Sequence, residues 1–137
     1  MSLFRVFDVS GSALRAQTVR LNTTASNMAN TDSISSSTAT TYRARQPVFA
    51  TQLDAAGNEA EVAGVDVLGI VESQAPLRRE YRPDHPLADP QGYVSLPNVN
   101  PVEEMANMIS ASRSYQSNVE VLNTSKQMLT RTLSLGD

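Results

Sequence analysis

The chain has no cysteine and no tryptophan, and only 5% of its 137 residues are aromatic. Without cysteine, disulfides and thiolate metal sites are excluded. The same absence leaves the redox compartment open, because a cysteine-free chain suits the cytosol and the outside of the cell equally well. The length fits one domain, but the shortage of large aromatic anchors predicts a core that is thin for a compact enzyme.

A strong charge of one sign is also missing. The formal net charge is −3, so no global basic field favours nucleic acid as a partner. No stretch approaches the roughly 20 apolar residues that a transmembrane helix needs, so we expect no direct membrane insertion. Residues 1–8 have neither the basic n-region nor the long apolar run of a Sec signal peptide. If the protein acts outside the cytoplasm, we expect another export route.

Side chains that carry catalysis are sparse and poorly arranged. His85 is the only histidine, and it lies in a proline-rich turn without a nearby serine or second histidine, which favours an exposed turn residue over a base or ligand. Asp84 and Asp89 are separated by two prolines, which suits a turn better than a cation-binding loop. The glycines are scattered and form no phosphate-binding loop. We therefore expect no enzyme, no cofactor and no metal site.

What the chain does have is a seven-residue repeat of apolar side chains near each end. A seven-residue repeat corresponds to two helical turns, so each set lies along one stripe of a helix. Such stripes predict helices that pack against other helices, and their members are our candidate subunit-interface residues. They are Phe7, Leu14, Leu21 and Met28 in the N-terminal part, and Met105, Met108, Tyr115, Val119, Leu122, Leu129 and Leu133 in the C-terminal part.

The C-terminal segment, residues 100–137, carries the clearer helix boundaries. Asn100 is a suitable N-cap and Pro101 suits the first helical position. Glu103 and Glu104 complement the helix dipole in the first turn. A helix over 101–135 would be about 52 Å long, too long to be covered by its own domain, so its stripe needs another partner. The alternative is that the two helices only form an intramolecular hairpin under a β cap.

The middle of the chain divides into two parts. Residues 31–41 form a Ser/Thr-rich tract, which predicts a mobile linker. Residues 42–99 predict a small antiparallel β unit, with a strand near 42–52, its best strand at 64–72, and short strands near 80–82 and 92–97. With an N-terminal helix over 1–30, the predicted fold is α+β: long terminal helices pair as a coiled-coil-like bundle, and the small β unit lies between them.

The terminal segments resemble those of the bacterial flagellar rod and hook axial proteins. Residues 25–30, ASNMAN, are similar to the Ala-Asn-Asn-apolar-Ala-Asn run that closes the first helix in that family, with Ser26 in place of the first Asn. Residues 98–105, NVNPVEEM, and 110–118, SASRSYQSN, resemble its C-terminal motif. Within the family, the middle of the chain resembles the proximal-rod members at residues 42–46, 72–76 and 86–94. Relatives usually carry glycine where this chain has its Ser/Thr tract.

The resemblance implies a structural axial subunit of the proximal rod in the flagellar basal body. It implies export through the flagellar type III apparatus without a Sec signal. It also implies helical assembly with other rod proteins and with itself, into a hollow drive shaft that crosses the periplasm. Basal-body ring and export-gate components are further expected partners. Two alternatives stay open: a secretion chaperone or adaptor with a helical hairpin, and a small hydrolase that uses His85 and Asp84.

Overall fold

A computed structural model describes residues 3–53 and 62–135 of the chain, and its side chains over 4–53 and 64–135. The turn predicted at residues 54–58 and the helix-ending glycine expected at Gly136 lie outside these described residues. In chain order the elements are one helix, four strands and a second helix. The predicted α+β class, with long helices at both ends and antiparallel strands between them, is confirmed.

Helix α1 spans Leu3–Ala29, close to the predicted bounds. It is rich in small hydroxyl residues that bond back to the preceding turn, as Thr23 Oγ1 does to the Val19 carbonyl at 2.8 Å. At its end the Asn30 side chain donates to the Ser26 carbonyl at 2.8 Å. This bond satisfies one of the last carbonyls, which have no partner inside a helix.

Helix α2 spans Pro101–Ser134 and begins at the predicted cap. The Asn100 side chain accepts a hydrogen bond from the Val102 backbone N–H at 3.1 Å, and Pro101 takes the first position, where a missing N–H costs nothing. With 34 residues the helix is about 51 Å long. Local sequence is therefore enough to predict where α2 starts.

The strands form two separate sheets of two strands each, where the sequence had suggested a single β unit. Strands β1 (Arg45–Leu53) and β2 (Val62–Glu72) pair in one antiparallel hairpin, with an irregularity where Val48 and Phe49 face Gly69 and Val67. Leu68 is the extra residue there, as in a β-bulge.

Strands β3 (Arg78–Tyr81) and β4 (Tyr93–Leu96) form the second sheet. The predicted strand near 42–52 begins only at Arg45, because the preceding residues are held by side chains of other elements.

The Ser/Thr tract at 31–41 makes defined contacts, although its composition had suggested a mobile linker. Ser35 forms a β-bridge with Ser95, with backbone bonds of 3.1 and 3.3 Å, and so extends the edge of β4. The Thr41 hydroxyl donates to the Ser37 carbonyl at 2.7 Å, and Thr31 and Thr41 are buried. Hydrogen bonds of hydroxyl and backbone groups, and not burial of apolar side chains, hold this tract in place.

The two helices lie antiparallel against each other. Arg20 Nη2 on α1 donates to Asn107 Oδ1 on α2 at 3.0 Å, and one turn further along α1 Thr24 bonds to Glu104, one turn earlier on α2. This register places Leu3 opposite about residue 124 or 125. The last part of α2, from Lys126 onward, therefore extends roughly 13 Å beyond the described part of α1.

The hairpin packs along α1 through a close backbone approach. Ser12 Oγ accepts from the Val65 N–H at 3.0 Å and donates to the Val9 carbonyl at 2.8 Å. A Cβ on Gly64 would lie 2.5 Å from Ser12 Oγ, so only glycine fits there without displacement.

The fully buried apolar residues of the described chain are few and mostly small, which agrees with the thin core that the composition predicts; they are Ala16, Ala44, Val94, Leu96, Val99 and Ala111. Neither described helix has a stretch both apolar and long enough to cross a membrane.

Candidate subunit interface

The side of α2 that is buried within the chain is a column of small and polar residues. It recurs every seven positions and comprises Glu104, Ala111, Asn118 and Ser125, which we call the α2 seam. Ala111 is fully buried, Glu104 and Ser125 are buried, and Asn118 is half-buried. A seam of this composition buries little apolar surface, so it contributes little of the hydrophobic free energy that usually joins two helices.

The buried residues of α1 have the same character. They are Ser10, Ser12, Ala16, Thr23, Thr24 and Asn27. Small side chains permit close approach of the neighbouring elements, and hydroxyl and amide groups supply hydrogen bonds in place of apolar contact. The two helices of one chain are therefore joined mainly by small and polar groups.

The predicted interface residues lie beside this seam and remain partly or largely accessible. On α1, Phe7, Leu14, Leu21 and Met28 are all half-buried. On α2, Met108, Val119, Leu122 and Leu129 are half-buried, and Met105, Tyr115 and Leu133 are exposed. Met105 keeps 51% of its surface accessible and Leu133 keeps 67%. The structure thus brings the stripe residues onto the surface of the helix pair and leaves them incompletely covered.

Helix geometry explains why the stripe does not coincide with the seam. At about 100° per residue, Met105 is turned by about 100° and Met108 by about 40° from Glu104. The apolar stripe therefore flanks the buried column on one side. Further large apolar residues are exposed off the stripe: Val102, Ile109, Val121 and Met128 on α2, and Leu135 directly after it. The helix presents apolar surface on more than one side, as expected of a helix with several helical neighbours.

The hairpin adds a second accessible apolar surface. Its exposed large residues are Val48, Phe49, Leu53, Leu68, Ile70 and Val71. A two-stranded hairpin is at best marginally stable alone in water. Packing on α1 through Ser12 and Gly64 covers part of this hairpin and leaves these side chains open.

Two asparagines, the buried Asn27 and the half-buried Asn98, attach the hairpin to the helices. Asn27 on α1 is 1% exposed; its Nδ2 donates to the Arg45 carbonyl at 2.8 Å, and its Oδ1 accepts from the Arg45 N–H and the Tyr42 hydroxyl, both at 2.9 Å. Asn98, just before α2, accepts from the Ala44 N–H at 2.8 Å. Its Nδ2 donates to the carbonyls of residues 73 and 75 at 3.3 and 2.9 Å.

These amides fix the entry of β1 and the exit of β2 against both helices. Residues 27 and 98 fall within the two motifs that carry the family resemblance, and the structure gives each a defined structural task.

The loop that held the candidate catalytic residues is organised as a turn. His85 Nδ1 accepts from the Leu87 N–H at 3.1 Å. Asp89 accepts from the backbone N–H of Gln91 and of Tyr93, each at 2.9 Å, and pairs with Arg79 at 2.6 Å. The hydrogen bond from the Tyr93 N–H is the main reason that the pKa of Asp89 is lowered.

Within residues 3–53 and 62–135, no group of three or more His, Cys, Asp or Glu side chains could hold a metal ion. His85 and Asp89 both hydrogen-bond within the turn, so the structure gives each of them a local structural role.

Sequence reasoning missed the α2 seam and the depth of Glu104. The heptad search favoured apolar columns, whereas the buried column 104-111-118-125 contains a carboxylate, an amide and a hydroxyl. Its one recognisable mark is that it keeps small or polar residues at every seventh position directly beside the apolar stripe. Glu104 was assigned only to dipole compensation, although it also contacts α1.

Comparisons with known proteins agree with this architecture at both ends and over the full length. Residues 7–33 match the family model described as "Flagella basal body rod protein", and residues 91–135 match "Flagellar basal body rod FlgEFG protein C-terminal".

The chain is 54% identical over 136 residues to the protein named flagellar basal-body rod protein FlgC from Salmonella typhimurium strain LT2, and equally to that from Escherichia coli O157:H7, with 99% of each chain covered. It is 42% identical over 139 residues to the FlgC of Buchnera aphidicola subsp. Acyrthosiphon pisum, with both chains covered completely.

Proposed function

The chain belongs to the family of flagellar basal-body rod proteins, and from this premise we propose how its surfaces build a rod. It is a structural subunit of the rod in the bacterial flagellar basal body, where it assembles with other rod components, and it is not an enzyme. The matches reported above all carry rod names, and none supports the chaperone or adaptor alternative.

We propose that the apolar stripes of α1 and α2 are the subunit interfaces of the rod. The observation that supports this is that the small, polar seam of α2 is its most buried side, while the large apolar residues of the stripe are only half-buried or exposed. Burying one large aliphatic side chain contributes about 1.5–3 kcal/mol. The free energy gained when several stripe residues are buried together exceeds the free energy that the seam contributes. Neighbouring subunits therefore supply the stronger contacts.

The interface is heterologous, with different surfaces meeting on successive subunits. Such contacts generate an open helical filament when the rotation does not close into a ring. The end of α2 that extends beyond the described part of α1 carries the exposed Met128 and Leu133 and the half-buried Leu129. Ordering this end on assembly is coupled folding and binding, in which burial at the interface offsets the entropy lost by the helix end.

The finer placement in the basal body is also a proposal. We assign the subunit to the proximal rod that crosses the periplasm, next to basal-body ring and export-gate components. Support comes from residues 42–46, 72–76 and 86–94, which resemble proximal-rod sequences. We further propose export through the flagellar type III apparatus, as the resemblance to the axial proteins implies.

The interface proposal is tested by introducing charge on and off the stripe of α2. In a flagellated host that depends on this chain for its rod, Met105→Asp places a carboxylate on the stripe, and Ala106→Asp places one on the adjacent exposed position. Both positions are exposed and lie in the same turn, so the effects on helix dipole and monomer folding are matched.

We expect Met105→Asp to abolish motility and to leave basal bodies without a complete rod. Ala106→Asp should remain motile. Circular dichroism of the two purified variants checks that both keep the wild-type helix content. Full motility of the Met105→Asp strain would refute the assignment of the stripe as an interface. Absence of the protein from purified wild-type basal bodies would refute its placement in the rod.

A further inference from the structure

Glu104 connects three elements of the fold at one buried point. It lies in the first turn of α2 and is only 6% exposed. Asn27 and Thr24 on α1 hydrogen-bond to its carboxylate. Asn27 in turn holds the Tyr42 hydroxyl and both backbone groups of Arg45. We call the four side chains Thr24, Asn27, Tyr42 and Glu104 the polar joint, because they link α1, the entry of β1 and the start of α2.

The charged groups around the polar joint do not neutralise Glu104. On α1, Arg20 donates to Asn107 Oδ1 at 3.0 Å. At the entry of β1, Arg45 pairs with Glu72 at 3.4 Å, and its guanidinium lies 5.2 Å from the centre of the Tyr42 ring. Among the described residues, neither arginine forms an ion pair with Glu104.

The nearest charge on α2 is a like one. Glu103 adjoins Glu104 in the chain, and its negative charge disfavours a second carboxylate beside it. A buried carboxylate without a cationic partner is costly to ionise.

Protons can nevertheless reach this group. An open cleft of about 400 Å³ lies where α1, β1 and α2 meet, and Glu104 lines it together with Glu103, Arg20 and Arg45 among others. A carboxyl group that lines a cleft open to solvent exchanges its proton without unfolding of the chain. Burial thus makes the ionised form of Glu104 costly, and the cleft lets its carboxyl group equilibrate its proton with the solvent.

We propose that the polar joint is a proton-linked attachment between α1 and α2, which is tightest when the Glu104 carboxyl is protonated and loosens when it ionises. The proposal needs only the isolated chain and does not depend on the rod assignment. Because Asn27 also holds the backbone of Arg45, loosening at Glu104 reaches the attachment of the hairpin. The consequence is a subunit whose hairpin-to-helix junction responds to pH.

The balance of forces at Glu104 agrees with this direction. Burial raises the pKa of Glu104, the hydrogen bond from Asn27 lowers it in part, the charge of Glu103 raises it, and the hydrogen bond from Thr24 lowers it. A folded-state pKa above the unfolded value means that the folded chain binds the proton more tightly. This stabilisation is fully present below the unfolded pKa, about 4.3 for glutamate. It is lost as the pH rises through the folded-state pKa.

The experiment compares urea unfolding of the full-length wild type, Glu104→Gln and Glu103→Gln from about pH 4 to about pH 8, a range that covers the ordinary glutamate pKa. Gln keeps the size of the side chain and one acceptor oxygen, resembles the neutral carboxyl group, and removes its titration. Glu103→Gln is the matched control, because it removes a carboxylate from the adjacent, exposed position.

We expect the unfolding equilibrium constant of the wild type to rise with pH, by about tenfold for each unit between the folded and unfolded pKa values of Glu104. Glu104→Gln should flatten this rise and be the most stable of the three at neutral pH. Glu103→Gln should retain most of the rise.

Carbon-13 NMR of the side-chain carboxyl groups measures the titration of Glu104 directly and needs only the wild type. The Glu104 carboxyl and the Asn27 side-chain amide should titrate together, with a midpoint above the ordinary glutamate value. A Glu104 carboxyl that titrates at the ordinary value, or a Glu104→Gln variant with the pH dependence of the wild type, would overturn the proposal.

Discussion

The side-chain amide of Asn27 pairs with the backbone of Arg45 in both directions. Nδ2 donates to the Arg45 carbonyl at 2.8 Å and Oδ1 accepts from the Arg45 N–H at 2.9 Å. One helix residue thereby takes the place of a neighbouring strand at the point where β1 begins. Asn is suited to this task because its amide carries both a donor and an acceptor in the geometry of a peptide group.

Asn27→Ala should therefore destabilise the folded chain strongly. It leaves the backbone groups of Arg45 and the hydroxyl of Tyr42 without this partner in a partly buried setting, and an unpaired group of this kind costs about 1–3 kcal/mol when buried. We expect a loss of about 3 kcal/mol in the free energy of unfolding, measured by urea denaturation. Asn22→Ala, at an exposed position of the same helix, is the control and should change it by less than about 0.5 kcal/mol. Equal stability of the two variants would contradict this role.

Two glycines of β2 allow a test of the contact between hairpin and helix. Gly64 and Gly69 share a φ of 158°, but an added Cβ meets Ser12 Oγ at 2.5 Å only at Gly64, and it meets nothing within 4 Å at Gly69. Any backbone cost of replacing glycine is thus similar in the two variants. Gly64→Ala should cost about 1–3 kcal/mol more than Gly69→Ala, since the clash disrupts the bond between Ser12 and Val65.

The measurement is the difference in urea midpoint between the two glycine variants at equal m-value. Ser12→Gly in the Gly64→Ala background gives a further check, because removing the hydroxyl relieves the clash. The combined change should cost less than the sum of the two single changes. Additive losses would mean that Ser12 and Gly64 do not act through this contact.

The sequence allowed the helices to be predicted well, because their boundaries are specified locally. Asn100 and Pro101 define the start of α2 through cap chemistry that involves only neighbouring residues. The heptad pattern likewise identified a helix stripe. These features depend on short sequence separations, where periodicity and capping are informative.

The attachments between elements could not be predicted, because they join residues that are distant in the chain. Asn98 bonds to the Ala44 N–H across 54 positions, and Ser12 bonds to Val65 across 53. No local pattern distinguishes an asparagine that holds a distant strand from one that caps a turn. For the same reason Glu104 was interpreted from its helix position alone, although its contacts with α1 determine its burial.

The last prediction concerns the end of α2 that extends beyond α1. Arg113, Lys126 and Arg131 are all exposed trypsin sites on the same helix. Arg113 lies near the fully buried Ala111, where α2 contacts α1, whereas Lys126 and Arg131 follow the last buried seam residue, Ser125. Proteolysis needs local opening of the helix, and opening costs little where few contacts hold it. We expect trypsin to cleave the free chain after Lys126 and Arg131 well before Arg113.

Mass spectrometry of fragments taken over time gives the order of cleavage. The same digestion of purified basal bodies should show Lys126 and Arg131 protected, because neighbouring helices then cover this end. Cleavage at Arg113 as fast as at Lys126 would mean that the seam does not hold the helices together in the free chain. Protection of Lys126 in the free chain would mean that this end of α2 is stable without a neighbouring subunit. That result would contradict the proposal that the stripe is completed by assembly.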